Sequence, residues 1–141
     1  MMARLARLRT LTLREGLGLA EAFCSLAIAS LAIATLRFRT VERLARQPLS
    51  TRSPRDERTA IVHVAWAVQA AARRAPFRAK CFEQGLAALW MLRRRGVSAS
   101  LHYGAARQGE DLVAHVWVTA GNIDVIGCGN KHLFFELTCF S

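Results

Sequence analysis

The sequence predicts an α+β domain in which helices come first and an antiparallel sheet follows. Up to Gly96 the apolar residues recur at helical spacing. After Gly96 they alternate with polar residues, which is the period-two pattern of half-buried strands. Helices followed by a run of strands are typical of α+β folds, and a chain of 141 residues is long enough for a single real core.

Residues 1–50 are predicted to form a basic, apolar helical region, with a long helix over 10–36 and a shorter one over 40–46. The run 16–36 is long enough to span a bilayer and has arginines at both ends. Glu21 and the many Ala, Ser and Gly residues argue against a span, so we expect a buried or membrane-surface helix. No small-residue cleavage site follows a short apolar core, which argues against a secretory signal.

Residues 47–57 are a polar linker that leads into the next helix. Ser53 is predicted as the N-cap, with Pro54 at the first helical position and an acid three residues after the cap. The helix ends by 73–76, and its predicted buried residues are Ile61, Ala65, Val68 and Ala72.

A second strong helix is predicted from Cys81 to about Arg95, with Gly96 as the residue that ends it. At about 100° per residue, Cys81 shares one apolar arc with Gly85, and the small residue leaves room for a strand. Cys81 therefore points into the fold. The arc also holds Phe82, Leu86, Ala88, Leu89 and Leu92, while Glu83, Gln84, Arg94 and Arg95 lie elsewhere.

Strands are predicted over 97–103 and 112–119, with a turn at 107–111 between them. In the second strand His115 and Trp117 share one face, and Ala114, Val116 and Val118 share the other. A turn at 121–122 leads into a third short strand, and a last strand covers about 133–140.

The composition excludes a disordered chain, because 52% of the residues are hydrophobic. The net charge of +10 is uneven: ten basic and three acidic groups lie in 48–95, against two basic and four acidic in 96–141. A basic excess favours anionic partners. The arginines lie mostly at helix ends without an aromatic platform, however, so we expect a solvated surface and no nucleic-acid partner.

The four cysteines contain no CxxC pair and do not form a disulfide pattern, so a reducing, cytoplasmic compartment is expected. Cys24 lies in an apolar run and is expected in the core. Cys128, His132 and Cys139 match no zinc spacing, and no Gly-rich phosphate loop occurs. No metal and no cofactor are therefore predicted.

A cysteine at a helix start, followed by a histidine in an antiparallel sheet, is the layout of papain-like and transglutaminase-like cysteine enzymes. The helix end favours a thiolate, the imidazole acts as base and then acid, and a third polar group fixes the ring tautomer. Cys81 and His115 are the candidates for nucleophile and base. A core thiol and a structurally satisfied histidine are the alternatives.

The stretch "CFEQGLAALWMLRRRGVSASLHYG", followed by "AHVWVTAG", resembles the split-type B protein of lasso peptide biosynthesis, a transglutaminase-like leader peptidase. The matching positions are Cys81, 86–90, 93–96, Gly104 and 114–118, and the resemblance covers about 60–141.

This resemblance implies that 51–141 form a transglutaminase-like cysteine peptidase domain, which removes the leader from a ribosomally made lasso precursor. The implied partners are the precursor, a separate leader-recognition protein and an asparagine synthetase-like lasso cyclase. Two other functions stay open. One is another papain-like amide or acyl transfer, and the other is a non-catalytic scaffold or membrane-surface protein that uses the basic N-terminal helices.

The third catalytic position departs from the family pattern. The family's acid lies about a dozen residues after the histidine, where this chain has Gly127 and Cys128. Asp124 is the only acid between His115 and Glu136 and is our predicted third catalytic residue. A two-residue hairpin turn would pair Asp124 with Thr119, about 13 Å of strand from His115. In that case Asn130 or a main-chain carbonyl would orient the ring.

Overall fold

The computed structural model describes residues 11–46 and 53–141. In this part of the chain four helices precede a four-stranded antiparallel sheet, as the sequence predicts. The helices are α1 (Leu13–Thr35), α2 (Phe38–Ala45), α3 (Glu57–Ala72) and α4 (Cys81–Arg94). The strands are β1 (Ser100–Gln108), β2 (Asp111–Ala120), β3 (Ile123–Ile126) and β4 (Phe135–Phe140), with a 3₁₀ turn at Lys131–Leu133. Residues 1–10 and the linker positions 47–52 lie outside the described part.

The strand order in the sheet is β3-β2-β1-β4. β1 and β2 form an unbroken antiparallel ladder in which Gly104 lies opposite His115. The predicted pairing of Asp124 with Thr119 is confirmed. One residue further along, the register shifts and Val118 pairs with Ile126, so a regular hairpin register is not maintained. Because of this irregularity, the end of β3 is shifted by one residue relative to β2.

The core lies between α4 and one face of the sheet. A Cβ built on Gly85 would be 2.7 Å from Val116 Cγ1 and 3.4 Å from Leu101 Cδ1. Glycine is therefore required where the helix approaches β1 and β2, as the predicted arc implied. The helix ends at Arg94, and Gly96 has the predicted left-handed backbone, with φ of +74°.

α1 packs on α3 and α4 along a stripe of small and apolar residues, of which Ala22, Leu26 and Ala29 are fully buried. Glu21 adds an ion pair from this helix, with Oε2 at 2.6 Å from Arg95 Nη2. By length and composition alone α1 is the one described helix that could cross a membrane, and a third of its apolar window is buried. The expectation that it packs rather than spans stays a prediction.

Two predictions about the helices are wrong. Cys24 is exposed on the outer side of α1, because this helix is apolar all round and its buried stripe runs along the opposite side.

α3 begins at Glu57 rather than Pro54. Asp56 is its N-cap, since one carboxylate oxygen accepts from the Thr59 N–H at 3.1 Å and the other from the Thr59 hydroxyl.

Candidate active site

Cys81 is the first residue of α4, at the helix start that the sequence indicates. It is half-buried and packs against the hydrophobic core. The N-cap residue of this helix, Lys80, has no side-chain acceptor, so it makes no capping hydrogen bond to the first turn of α4. The first backbone N–H groups of α4 therefore remain available beside the thiol. They are the groups that a helix start can offer to a developing oxyanion.

Glu83 stabilises the start of α4 through two contacts. Its side chain is only 2% exposed, and Oε2 accepts from the Lys80 N–H at 3.2 Å. The other oxygen lies 3.1 Å from Arg78 Nε, on the segment that enters the helix. Sequence reasoning placed Glu83 off the apolar arc and missed this role. An acid at the third position of a helix is the signal that could have indicated it.

Replacing Glu83 with alanine is expected to lower the free energy of unfolding by about 2 kcal/mol, because a cap bond and a largely buried ion-pair partner are lost together. Chemical denaturation of the purified protein measures this change. Glu57→Ala is the matched control, since Glu57 is an exposed acid in the first turn of α3. Equal denaturation midpoints for the two variants would contradict the role given to Glu83.

His115 is held by a main-chain acceptor. Its Nε2 lies 2.7 Å from the carbonyl oxygen of Gly127, and its ring packs 4.9 Å from that of Phe134, centroid to centroid. The Trp117 ring stacks beside it, with 6.1 Å between the ring centroids. A carbonyl can only accept, so Nε2 carries the proton and Nδ1 of the neutral ring carries a lone pair. The ring tautomer is thus the one in which Nδ1 can act as a base.

The position of Gly127 explains why a carbonyl reaches the ring there. Its φ is +73°, and an added Cβ would lie 2.6 Å from the carbonyl oxygen of Val116. Only glycine fits this backbone without displacing β2. Gly127 also occupies the sequence position at which the resembling family has its acid. In this chain the group near the histidine at that position is therefore a main-chain oxygen and not a carboxylate.

Cys81 and His115 are not joined in this structure. Val116 and Val118 face α4, since both lie against Gly85. Residues alternate along a strand, which puts His115 and Trp117 on the opposite face of β2. Within residues 11–46 and 53–141, the hydrogen bonds include none between the Cys81 thiol and the His115 ring. Their catalytic roles remain predictions.

Asp124 is not brought to His115 either. Its carboxylate lies 2.5 Å from Lys131 Nζ on the exposed side of β3, and this bond holds the pKa of Asp124 below its usual value. Burial, reinforced by the nearby Asp124 charge, raises the pKa of the Cys128 thiol. Asn130 is exposed, just before the 3₁₀ turn. Of the alternatives open at the sequence level, the geometry favours a main-chain carbonyl.

On this geometry, Asp124→Asn is expected to leave the rate of any Cys81-dependent reaction within about threefold of wild type, a difference of only ~0.6 kcal/mol. The reason is that the side chain pairs with Lys131 and not with the imidazole. Steady-state rates of the purified variant test this. A loss of about a hundredfold or more, as for triad acids, would restore Asp124 to the site.

A helix-start cysteine packed on an antiparallel sheet with a histidine in its second strand is typical of α+β cysteine enzymes. The chain belongs to the transglutaminase-like superfamily, whose family model matches residues 24–137. Members of this superfamily are generally cysteine proteases or transferases. No curated protein matches the chain, and no solved structure does.

Proposed function

We propose that this protein is a cysteine peptidase that removes the leader from a ribosomally made lasso peptide precursor. The precursor is delivered by a separate leader-recognition protein, and an asparagine synthetase-like cyclase takes up the freed core. The proposal places the reaction in the cytoplasm. Its support is the superfamily membership together with the sequence resemblance over about 60–141.

The observation that carries the proposal is the bond from His115 Nε2 to the Gly127 carbonyl. This bond holds the ring in one tautomer and leaves the other nitrogen without a proton. A general base needs an unprotonated nitrogen in a fixed place, and here this nitrogen is Nδ1.

In the proposed reaction His115 Nδ1 takes the proton of the Cys81 thiol, and the sulfur attacks the scissile carbonyl. The oxyanion of the tetrahedral adduct is stabilised by backbone N–H groups at the start of α4. His115 then returns the proton to the leaving amine, which is the new amino terminus of the core. Water, deprotonated by the same nitrogen, hydrolyses the thioester and restores the Cys81 thiol.

The reaction requires Cys81 and His115 within hydrogen-bond reach, which the structure does not contain. Because the two side chains lie on opposite faces of β2, this requires a rearrangement of the backbone near one of them and not only the tightening of an existing bond. We therefore propose that binding of the precursor and its recognition protein brings the two groups together.

The test is mass spectrometry of the precursor after incubation with this protein and the recognition protein. The expected products are the intact leader and the intact core, with water added across one bond. Added amine, such as hydroxylamine, separates hydrolysis from transfer: a leader hydroxamate formed in preference to the leader acid would favour an acyl transferase. An unchanged precursor would contradict the proposal.

A non-catalytic scaffold is the second candidate, and a specific observation favours it. The outer side of α1 exposes four large apolar residues in a chain whose Cys81 and His115 are not in contact. These residues are Leu13, Leu17, Ile28 and Leu31. If this function is correct, Cys81→Ala leaves the protein's contribution to maturation intact, and substitutions on this outer side abolish it.

A further inference from the structure

A second cluster of chemically active side chains lies between β1 and β4, on the same sheet face as His115. In the described part of the chain, one group of three possible metal ligands has its donor atoms within 4.8 Å of one another. It consists of His102, Glu136 and Cys139. The sequence predicted no metal site.

A break in the ladder puts these donors together. Cys139 lies opposite His102, and Glu136 lies opposite Gly104. Residues 136 and 139 would face opposite sides of a regular strand, but the register shifts between Tyr103 and Gly104. Both side chains therefore reach the His102 side. Re-aiming a side chain in this way is a known effect of β-bulges.

The His102 ring is already oriented as a ligand. Its Nε2 lies 2.9 Å from the Thr119 hydroxyl. The ring stacks on that of Trp117, with the two ring planes 6° apart. When Nε2–H donates to Thr119, the lone pair of Nδ1 points into the cluster. A hydrogen bond from the second ring nitrogen is what commonly fixes a metal-binding histidine.

Nδ1 of His102 has no hydrogen-bond partner among the described residues, and its near neighbour is the Glu136 carboxylate. The atom is buried, and Glu136 Oε2 is 3.2 Å away. In the tautomer with the proton on Nε2, the Nδ1 lone pair faces a carboxylate oxygen with no proton between them, which is costly for a buried nitrogen. A cation between Nδ1, the carboxylate and the Cys139 sulfur would satisfy all three groups.

The spacing fits a tetrahedral ion. Bonds of about 2.1 Å to nitrogen or oxygen and about 2.3 Å to sulfur place tetrahedral donors about 3.4 to 3.7 Å apart. The Nδ1–Oε2 separation is close to this range, and the remaining pairs need a contraction of at most about 1 Å, which the exposed Glu136 side chain allows. Cys139 Sγ has one weak contact, at 3.8 Å to the Ser141 hydroxyl.

We propose that His102, Glu136 and Cys139 form a zinc site with one open coordination position. Mixed nitrogen, sulfur and oxygen donors suit zinc better than magnesium or calcium, which prefer oxygen alone. On binding, the Cys139 thiol releases its proton to solvent and the thiolate binds the metal. The ion links edge strand β4 to β1, and the stacked His102 and Trp117 rings connect it to the face that carries His115.

The test is titration of the metal-free full chain with Co²⁺, followed by displacement with Zn²⁺. One equivalent of Co²⁺ is expected to give a thiolate-to-metal charge-transfer band, which Zn²⁺ removes. Cys139→Ser is expected to abolish the band, and the control Cys24→Ser, which removes an exposed thiol on α1, is expected to leave it unchanged.

A second pair of variants keeps the proposal testable if Cys139→Ser does not fold. His102→Gln is expected to abolish tight Zn²⁺ binding, and Thr119→Val is expected to weaken it by about ten- to a hundredfold, because the ring loses its orienting acceptor. Absence of the band in wild type, or a band that survives Cys139→Ser, would overturn the proposal. His102 and Glu136 would then be an ion pair without a metal. Leader removal does not enter this readout, so the result is independent of the proposed peptidase activity.

Discussion

Cys81→Ala is expected to reduce the rate of leader removal by at least about four orders of magnitude, because nucleophile and base act as one unit and nothing replaces the sulfur. His115→Ala is expected to have a similar effect. The measurement is the single-turnover rate of cleavage of the precursor in the presence of its recognition protein. Thermal unfolding of the Cys81 variant checks that the small change of side chain leaves the fold intact.

Cys24→Ala is the matched control for this loss. Both residues are free cysteines at or in a helix, but Cys24 lies on the outer side of α1 and takes no part in the proposed site. Its variant is expected to cleave at the wild-type rate. If Cys81→Ala retained full activity, the peptidase assignment would fail and the scaffold function would be favoured.

Gly127→Ala is expected to have the largest effect among substitutions that remove no reactive group. The added Cβ would lie 2.6 Å from the Val116 carbonyl oxygen, in a backbone with φ of +73°. We expect the free energy of unfolding to fall by about 3 kcal/mol, from the backbone strain and the clash together. The displaced carbonyl also releases His115 Nε2, so cleavage should slow by about a hundredfold or more even where the variant is folded.

Gly121→Ala separates the two causes. Gly121 has φ of +56°, but an added Cβ meets no atom within 4 Å among the described residues. It is expected to lose about 1 kcal/mol of stability, from the backbone conformation alone, and to keep its activity. If the two alanine variants lost equal activity, the Gly127 carbonyl would not be the group that orients His115.

The order and the bounds of most helices and strands follow from the sequence, because the apolar period changes once, at Gly96, and both halves bury one face. The start of α3 does not, because Ser53 and Asp56 both suit an N-cap and only the bonds to Thr59 decide between them. The sequence did not predict the exposure of Cys24 for a similar reason. α1 is apolar all round, so its sequence does not specify which side packs.

The sequence predicted the candidate site only at positions where a side chain supplies the functional group. Cys81 and His115 have recognisable positions in a helix and a strand. The acceptor for His115 is a main-chain oxygen, and its sequence signal is the absence of an acid near Gly127. Glu83 is buried and pairs with Arg78 on the segment before the helix, and helical periodicity does not include such a contact. The cluster at His102 depends on a register shift that no residue pattern specified.

The central claim is that Cys81 is a nucleophile served by His115. Alkylation with iodoacetamide at neutral pH, carried out on the folded protein bound to the leader peptide and the recognition protein, tests it most directly. The rate at each cysteine is read by peptide mass spectrometry. Exposed Cys24 gives the reference rate for a solvent-accessible thiol, and the burial that raises the pKa of Cys128 keeps that thiol slow. We predict that Cys81 reacts faster than Cys24, Cys128 and Cys139, and that His115→Ala slows Cys81 alone. Equal rates at all four cysteines, or a Cys81 rate that does not respond to His115→Ala, would contradict the claim.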